Sequence, residues 1–242
     1  MDSLKEIYAG FDASGNREIE YDNYSNRYLA LVTITTRDFK AAEKICDWLE
    51  TSWPGKKGVN LHSSWEEIVD RLAKTDFQFF ILYVDKEIFR GKIDKKNYDR
   101  IPFWRITFKD DGTSAYTTMN DIYAKHEWLV VEVLKIQGFK GETVMRWDKD
   151  LKGYGWETSK QKVREHAENW LGSCDLQDGD WDYPLIRIAD IVANFTHWQL
   201  KENIKEKGEP AVINRLRKNV RKMELSVTED FTMVCEDGVS KE

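Results

Sequence analysis

Residues 7–16, Ile7-Tyr8-Ala9-Gly10-Phe11-Asp12-Ala13-Ser14-Gly15-Asn16, predict the first strand of the chain. Apolar residues at positions 7, 9 and 11 alternate with Tyr8, Gly10 and Asp12, which is the two-residue period of a β-strand. Asp12 is therefore expected at the end of a strand, before a turn over Ser14-Gly15-Asn16. The run Tyr-Leu-Ala-Leu-Val-Thr-Ile at 28–34 predicts a second strand, antiparallel to the first.

A second stretch, Pro184-Leu185-Ile186-Arg187-Ile188-Ala189-Asp190-Ile191-Val192-Ala193-Asn194, places another aspartate among apolar residues. Pro184 at the first helical position predicts a helix to about Lys201, in which Asp190, Asn194 and His197 share one polar stripe. Ionised carboxylates at Asp12 and Asp190 would be costly in apolar surroundings unless they are paired, protonated or bound to a metal. A metal site formed from both ends of the chain explains the two placements together.

The residues between these stretches show both helical and strand patterns. Asp38 is a candidate N-cap for a helix that ends before Pro54-Gly55, and Ser64 with Glu67 has the pattern of a capping box for a second helix. The other predicted elements are a short strand at 59–62, a buried strand at 77–84, a core helix at 120–136 stopped by Gly138, a strand at 143–148 and a helix at 159–171, followed by a polar crossing to Pro184.

This order of elements predicts an α/β architecture, a mixed sheet flanked by helices. One domain over residues 1–242 is expected. Within it, residues 86–115 are predicted to form a peripheral insertion, and residues 202–242 a C-terminal helix and tail.

Composition narrows the class of protein. With 242 residues, 41% of them hydrophobic, the chain can bury a sizeable core. No run reaches the roughly 18 apolar residues of a membrane-spanning helix, and the first residues lack a basic segment followed by an apolar one, so export is not expected. Three cysteines without Cys-x-x-Cys spacing favour a reducing cytoplasm over a disulfide framework.

The charge of the chain bears on its partners. A net charge of −6 argues against a surface that coats nucleic acid throughout. The stretch 213–222 is the exception, because half of its residues are basic. It is either a solvated helix face or a phosphate-contact surface that includes Arg215, Arg217 and Arg221.

Three carboxylates fall at similar places in the predicted elements: Asp12 and Asp148 at strand ends, and Asp190 on a helix that should pack on the sheet. If they converge, their charges raise one another's pKa, and a hard divalent ion such as Mg²⁺ or Mn²⁺ would relieve the conflict. Two plainer explanations stay open. Strand-end aspartates are common turn residues, and Arg187, three residues before Asp190, is able to pair with it.

Two more residues are candidates for phosphate chemistry. His62 has the chemistry to orient a phosphate or shuttle a proton near neutral pH, but as a lone histidine at a predicted strand end it is more often structural. Lys86, after the buried strand, is either a phosphate contact or an ordinary solvated lysine. The ten tryptophans include candidates for base stacking, but most are spaced as core residues.

Together these residues carry a family resemblance. The Asp-x-Ser-Gly after the first strand, the His62 segment and the Leu-Ile-Arg-Ile-Ala-Asp-Ile-Val-Ala helix resemble the marks of domain-of-unknown-function family 3800, over about residues 6 to 200. Members of that family typically begin with Asp-Glu-Ser-Gly and end with a Gln-Leu-Ala-Asp-Leu-type helix, and are thought to adopt a ribonuclease H-like fold that holds two divalent metals. The resemblance implies that Asp12, Asp148 and Asp190 are the metal ligands.

The chain departs from that family at Ala13, where members usually have Glu. In a regular strand residue 13 faces away from Asp12, although a turn at the strand end is able to return it to the site. Either this member is impaired, or the glutamate was removed to capture an inactive form, or that glutamate is dispensable. We favour, as a hypothesis, the loss of a supporting acid.

The sequence thus predicts a metal-dependent nuclease or phosphodiesterase. Its expected catalytic residues are Asp12, Asp148, Asp190 and His62, and its nucleic acid would be held by Lys86 and the basic stretch. The main alternative is a catalytically weakened binding or regulatory module with the same fold. A small-molecule hydrolase is a third possibility, but the chain has no Gly-x-Ser-x-Gly elbow, phosphate-cradling glycine loop or His-x-x-x-His pair to favour it.

Overall fold

A six-stranded sheet forms the centre of the protein in a computed structural model that describes residues 6–15, 27–89, 104–107, 114–117, 122–151, 156–202, 209–216 and 220–224. Its strands are β1 (Glu6–Ser14), β2 (Tyr28–Thr36), β3 (Gln78–Asp85), β6 (Glu142–Asp148), β7 (Cys174–Gly179) and β8 (Val220–Glu224), while β4 (Trp104–Thr107) and β5 (Ser114–Thr117) form a separate pair. The helices are α1 (Phe39–Ser52), α2 (Trp65–Leu72), α3 (Ile122–Ile136), α4 (Trp156–Trp170), α5 (Pro184–Glu202) and α6 (Ala211–Leu216).

The strands lie in the order β7-β6-β1-β2-β3-β8. Strand β2 is antiparallel to both β1 and β3, whereas β6 runs parallel to β1, β7 parallel to β6, and β8 parallel to β3. Strand β1 is therefore inside the sheet, between an antiparallel and a parallel neighbour. The expected α/β class, a mixed sheet flanked by helices, is confirmed, and its ribonuclease H-like form stays a prediction.

The alternation predicted for β1 sends its residues into two different cores. Ile7, Ala9 and Phe11 pack with apolar residues of α3 and α4, which we call the α3 core. The other face packs against α5, in what we call the α5 core. Gly10 allows that contact, because a Cβ atom at this position would lie 2.5 Å from the backbone carbon of Leu185.

Local signals predicted several elements well. Asp38 caps α1 by accepting a hydrogen bond from the backbone N–H of Ala41 at 3.1 Å. Gly138 ends α3 with a φ of 70°, and the N–H of Phe139 donates to the carbonyl of Leu134 at 3.0 Å in the hydrogen-bond pattern of a glycine stop. The predicted helix that carries Asp190, α5, begins at Pro184 as expected.

Other predictions were wrong. Residues 59–62 form no strand but lie in two 3₁₀ turns, Gly58–Asn60 and His62–Ser64, and the side chain of Ser64 makes no capping hydrogen bond to α2. The polar crossing before Pro184 contains β7, which was missed because only Cys174 and Leu176 of its residues are buried. Helix α4 begins at Trp156, three residues earlier than predicted.

The basic stretch 213–222 is not one helix. Helix α6 ends at Leu216, and residues 220–224 form β8, whose backbone pairs with Phe79–Tyr83 of β3. The prediction of a C-terminal helix through this stretch is therefore corrected to a short helix followed by a strand.

Helix length and cysteine burial bear on the expected class of protein. Within the part of the chain that is described, no helix has the length and apolar character needed to cross a membrane. Cys46 and Cys174 are buried free thiols, and burial raises the pKa of each to about 12. The single domain over 1–242, the insertion at 86–115 and the cytoplasmic location stay predictions.

Candidate metal centre

Asp12, Asp148 and Asp190 come from three different elements that meet on the α5 side of the sheet. Phe11 and Trp147 are partners in the parallel pairing of β1 and β6, so Asp12 and Asp148, one residue on, lie at the same level of the sheet. Both carboxylates are largely buried, with exposed fractions of 6% and 9%. Asp190 is partly buried on α5, the helix that packs over β1.

Burial and mutual repulsion disfavour charge on all three groups. Burial is the main cause that raises the pKa of Asp12 well above its ordinary value, and the nearby charges of Asp190 and Asp148 raise it further. Burial also raises the pKa of Asp148, to which Asp150 and Asp190 contribute, and the pKa of Asp190. The three carboxylates are thus close enough to act on one another electrostatically.

Asp12 and Asp148, the two aspartates on strands, each use one carboxylate oxygen to accept a described hydrogen bond. Asp12 Oδ1 accepts from the N–H of Ala13 at 2.7 Å, and Asp148 Oδ1 accepts from the N–H of Asp150 at 2.7 Å. The second oxygen of each receives no hydrogen bond from the residues that the structure describes. These two oxygens are therefore available to an incoming cation or proton.

Asp190 is held more firmly. Its Oδ2 accepts from the backbone N–H of Gly58 at 2.9 Å, and its Oδ1 accepts from Asn194 Nδ2 at 2.7 Å. Gly58 must be glycine for this contact, because a Cβ atom there would lie 2.9 Å from the Cα of Ile191. The segment that carries Gly58 also carries Lys57, an exposed lysine whose charge lowers the pKa of all three carboxylates.

Arg187 does not neutralise Asp190, so the plainer explanation for that aspartate is wrong. The Nη2 atom of Arg187 donates to Glu50 Oε2 on α1 at 2.6 Å, and the guanidinium lies 4.1 Å from the centre of the Trp181 ring. Its charge is therefore engaged on the side of α5 that faces α1.

The predicted stripe on α5 continues into a chain of hydrogen bonds that reaches β1. Asn194, which donates to Asp190, has its Oδ1 atom 3.3 Å from Ser14 Oγ, and Ser14 Oγ lies 3.2 Å from His197 Nδ1. Ser14 follows Asp12 by two residues and so points to the same face of β1. The Asp-x-Ser-Gly motif thus supplies both a carboxylate and a polar link to the helix.

The sequence predicts His62 as a catalytic residue. In the structure His62 lies near His197, the last residue of this chain of hydrogen bonds. Its ring stacks on Trp198, with centroids 4.7 Å apart and an angle of 9°, and lies edge-on to Phe195 at 6.1 Å. Burial and then Lys201 lower its pKa. None of its described contacts involves the three carboxylates, and its role in catalysis stays a prediction.

Of the predicted nucleic-acid contacts, the structure describes the side chains of Lys86, in the 3₁₀ turn after β3, and of Arg215. Lys86 is 2% exposed and lies close enough to His197 to lower the pKa of that histidine. Arg215 is on α6, where it pairs with Glu66 at 3.0 Å and Asp70 at 3.1 Å. Arg217 lies outside the described residues, and of Arg221 only the backbone, in β8, is described.

Ala13 remains in β1 instead of turning back toward the carboxylates. It pairs with Leu31 of β2 and packs against the α3 core, on the face opposite to Asp12. A side chain at this position therefore starts out away from the candidate site.

The three carboxylates suit a divalent metal in their chemistry but are not drawn together around one point. Carboxylate oxygens are the ligands that Mg²⁺ and Mn²⁺ prefer. The raised pKa values of the three aspartates indicate surroundings in which a bound cation would stabilise their ionised forms. However, no group of three His, Cys, Asp or Glu side chains among the described residues is arranged closely enough to hold a metal ion. Binding would require the side chains to close in on the ion.

Two residues of this site, Lys57 and Gly58, escaped prediction. The Pro54-Gly55-Lys56-Lys57-Gly58 run signalled only a loop, and nothing local indicated that it folds onto α5. Gly58, directly before the predicted strand at 59–62, was the one available sign of a close backbone approach.

Comparison with known proteins adds little to this description. No family model matches the chain, and no curated protein matches it. Among solved structures, a chain from the PCNA:RNase HII complex of Archaeoglobus fulgidus is similar at 15% sequence identity with a TM-score of 0.43, over 88% of this chain and 85% of that one. The fold class of this protein rests on the strand order and helix packing of its own structure.

Proposed function

We propose that this protein is a divalent-metal-dependent nuclease or phosphodiesterase with Asp12, Asp148 and Asp190 as its metal ligands. The observation that carries the proposal is the accumulation of three buried or partly buried carboxylates, each with a raised pKa, on one face of the sheet. Arg187, the nearest candidate counter-ion in the sequence, is engaged by Glu50. Such an arrangement is costly unless a cation or protons compensate it.

The residues of the site have distinct parts in this proposal. Asp12 and Asp148 would each offer the oxygen that accepts no hydrogen bond from described residues. Gly58 and Asn194 would hold the Asp190 carboxylate in place through their N–H groups. Bound Mg²⁺ or Mn²⁺ would supply the Lewis acidity that activates water and stabilises a leaving phosphate oxygen.

Membership of domain-of-unknown-function family 3800 is part of the same proposal. It is supported by the Asp-x-Ser-Gly motif, whose Asp12 and Ser14 both face α5, and by the helix that carries Asp190. Nucleic acid is the proposed partner, because a phosphodiester is the substrate for which paired divalent metals are suited.

Metal titration tests the proposal directly. If Mn²⁺ binds the folded protein at a concentration one hundred times its Kd, it should stabilise the fold by about 2.7 kcal/mol, which for a chain of this size raises Tm by about 5–10 °C. Asp190→Asn should abolish this shift, whereas Asp47→Asn, which changes an exposed acid on α1, should keep it. Cleavage of labelled DNA and RNA should require Mn²⁺ or Mg²⁺ and disappear in the same Asp190 variant.

A second candidate is a binding or regulatory module that keeps the fold without catalysis. Ala13, at the position where the resembled family has glutamate, and the absence of a ready metal-binding group among the described residues favour it. If the parent protein shows no Mn²⁺-induced shift, the nuclease proposal fails and the binding module is preferred.

A further inference from the structure

A buried histidine–glutamate pair lies on the face of the sheet opposite to the candidate metal centre. His126 and Glu127 are consecutive residues of α3, and their side chains have no exposed surface. The Nδ1 atom of His126 lies 3.2 Å from Oε1 of Glu127. A buried carboxylate is costly unless hydrogen bonds satisfy it, so the other partners of Glu127 show what the pair holds together.

Glu127 binds two strands that are not neighbours in the sheet. Its Oε1 atom accepts a hydrogen bond from the hydroxyl of Thr33 on β2, and its Oε2 atom accepts one from Trp147 Nε1 on β6 at 3.0 Å. Strand β1 lies between β2 and β6. The carboxylate therefore bridges side chains whose strands are two spacings, about 9.5 Å, apart.

The residues held by this bridge lie at one level of the sheet. Phe11 of β1 is the partner of Thr33 in the antiparallel pairing with β2 and of Trp147 in the parallel pairing with β6. We call Thr33, Phe11 and Trp147 the strand row. The His126 ring stacks on the Phe11 ring, with centroids 5.4 Å apart and an angle of 27°. Glu127 thus binds the outer members of the row, and His126 covers the middle one.

The strand row lies directly before the two aspartates on strands. Asp12 follows Phe11, and Asp148 follows Trp147. Phe11–Trp147 is also the last pair in the register of β1 and β6, so the pairing that fixes the spacing of these strands ends at the row. Because successive side chains point to opposite faces, a bridge that holds the row from the α3 side sets the positions of the two aspartates on the α5 side.

The polar character of position 127 serves this bridge. The residues that follow it in α3, including Trp128 and Val130, belong to the apolar α3 core. An apolar side chain at position 127 would suit that core, but it would leave the Trp147 N–H and the Thr33 hydroxyl buried without this acceptor. The glutamate is therefore explained by its contacts with the strand row rather than by packing.

We propose that Glu127 is a positioning residue for the candidate metal centre. By joining Thr33 to Trp147 it fixes the spacing of the strands on either side of β1, and with it the separation of the Asp12 and Asp148 carboxylates. Groups that bind one metal must be held within about 0.5 Å of their working positions by the contacts behind them. The assignment of a metal to these carboxylates rests on the proposed function, whereas their positioning by Glu127 does not.

Three variants change the bridge to different degrees. Glu127→Met removes both of its hydrogen bonds to the strands. Glu127→Gln keeps a side chain of the same shape, whose amide can accept from Trp147 and donate to Thr33. Thr33→Val removes only the hydroxyl on β2, and it keeps the carboxylate in place if Glu127→Met does not fold.

Glu132→Met is the matched control for a loss of stability. Glu132 is a second buried glutamate of α3 that is paired with a histidine, because its Oε1 atom lies 2.5 Å from Nε2 of His166 on α4. This pair joins two helices instead of two strands. Glu132→Met should therefore lower Tm, as Glu127→Met does, without changing the strand row.

Calorimetric titration with Mn²⁺ measures the effect on the candidate metal centre. Glu127→Met and Thr33→Val should weaken Mn²⁺ binding about tenfold, the lower end of the range for residues that support metal ligands from outside the coordination shell. Glu127→Gln and Glu132→Met should bind Mn²⁺ like the parent.

Amide hydrogen exchange in EDTA tests the positioning without metal. The N–H groups of Ala13 and Asp150 donate to the Asp12 and Asp148 carboxylates, so their exchange rates report how firmly the two carboxylates are held. Exchange at both amides should be about tenfold faster in Glu127→Met than in Glu132→Met, as expected when about one hydrogen bond is lost from a local opening. In Glu127→Gln it should match the parent.

The outcomes separate this inference from the proposed function. If Glu127→Met and Glu132→Met have the same Mn²⁺ affinity and the same exchange rates at Ala13 and Asp150, Glu127 serves stability alone and the inference is wrong. If the parent binds no Mn²⁺ but the two amides exchange faster in Glu127→Met than in Glu132→Met, the proposed function fails and the positioning of the carboxylates stands.

Discussion

The low pKa of His197 leads to a prediction about stability in mild acid. Burial, followed by the charges of Lys201, Lys86 and His62, lowers this pKa from 6.5 to about 4. Between those values the unfolded chain binds a proton at this histidine and the folded chain does not. Stability that is present at neutral pH is therefore lost as the pH falls from about 6.5 to about 4.

The size of the effect follows from the difference between the two pKa values. A tenfold change in proton affinity corresponds to about 1.4 kcal/mol, so the full contribution is about 3 kcal/mol, and about 2 kcal/mol of it is already lost at pH 5. His197→Gln removes the titrating group. The free energy of unfolding of this variant should therefore fall about 2 kcal/mol less than that of the parent between pH 7.5 and pH 5.

Urea unfolding at a series of pH values measures this difference, and Lys201→Gln provides a graded comparison. Removing the Lys201 charge should raise the pKa of His197 and give a pH dependence between those of the parent and His197→Gln. Nuclear magnetic resonance offers an independent reading, because the histidine signal missing from His197→Gln should not titrate in the parent above pH 5. Superimposable stability profiles, or a signal that titrates above pH 6, would refute the reasoning.

Two further predictions concern the strand that carries Asp12. Gly10→Ala would place a methyl group 2.5 Å from the backbone of Leu185, so α5 must shift. We expect the free energy of unfolding in urea to fall by about 3 kcal/mol and the Mn²⁺-induced rise in Tm to be lost. If the variant behaves like the parent in both measurements, α5 does not pack on β1 as described. Ala13→Glu would place a carboxylate against the α3 core, so it should lower the free energy of unfolding by about 1–3 kcal/mol. The Mn²⁺-induced rise in Tm should stay unchanged. A gain in metal-dependent cleavage would instead support the hypothesis that a supporting acid has been lost.

The elements that could be predicted are those whose signal is local. The alternation of β1, the cap at Asp38 and the stop at Gly138 each depend on residues within one or two turns of the chain. Strand β3 was predictable because it is apolar on both faces, as expected for a strand that lies between β2 and β8. In all of these, the local preference agrees with what the tertiary structure requires.

The elements that were missed form because of distant partners. Strand β7 is mostly polar, and it is a strand because its backbone continues the sheet beyond β6. Strand β8 has the composition of a solvated helix, yet its backbone pairs with β3, more than 130 residues earlier in the chain. Propensity within a short window contains no information about such pairings.

The candidate site divides in the same way. The stripe of Asp190, Asn194 and His197 follows from helical spacing alone. The diversion of Arg187 to Glu50 and the approach of Gly58 to Asp190 are contacts across 137 and 132 residues, which no single-sequence pattern indicates. The sequence therefore could not predict which charged and polar groups surround Asp190.

The two-residue period of β1 links the candidate metal centre to His197 of α5. Because Asp12 and Ser14 are two residues apart, the strand directs both toward α5, one to the carboxylates and the other to His197. Position 13 falls on the opposite face, where Ala13 packs against the α3 core. The departure from the motif of the family that the sequence resembles thus occurs at the one residue of Asp12-Ala13-Ser14 that does not face α5. A change there can alter packing beneath the site while the carboxylate and the hydroxyl keep their places, so activity and metal binding need not be lost together.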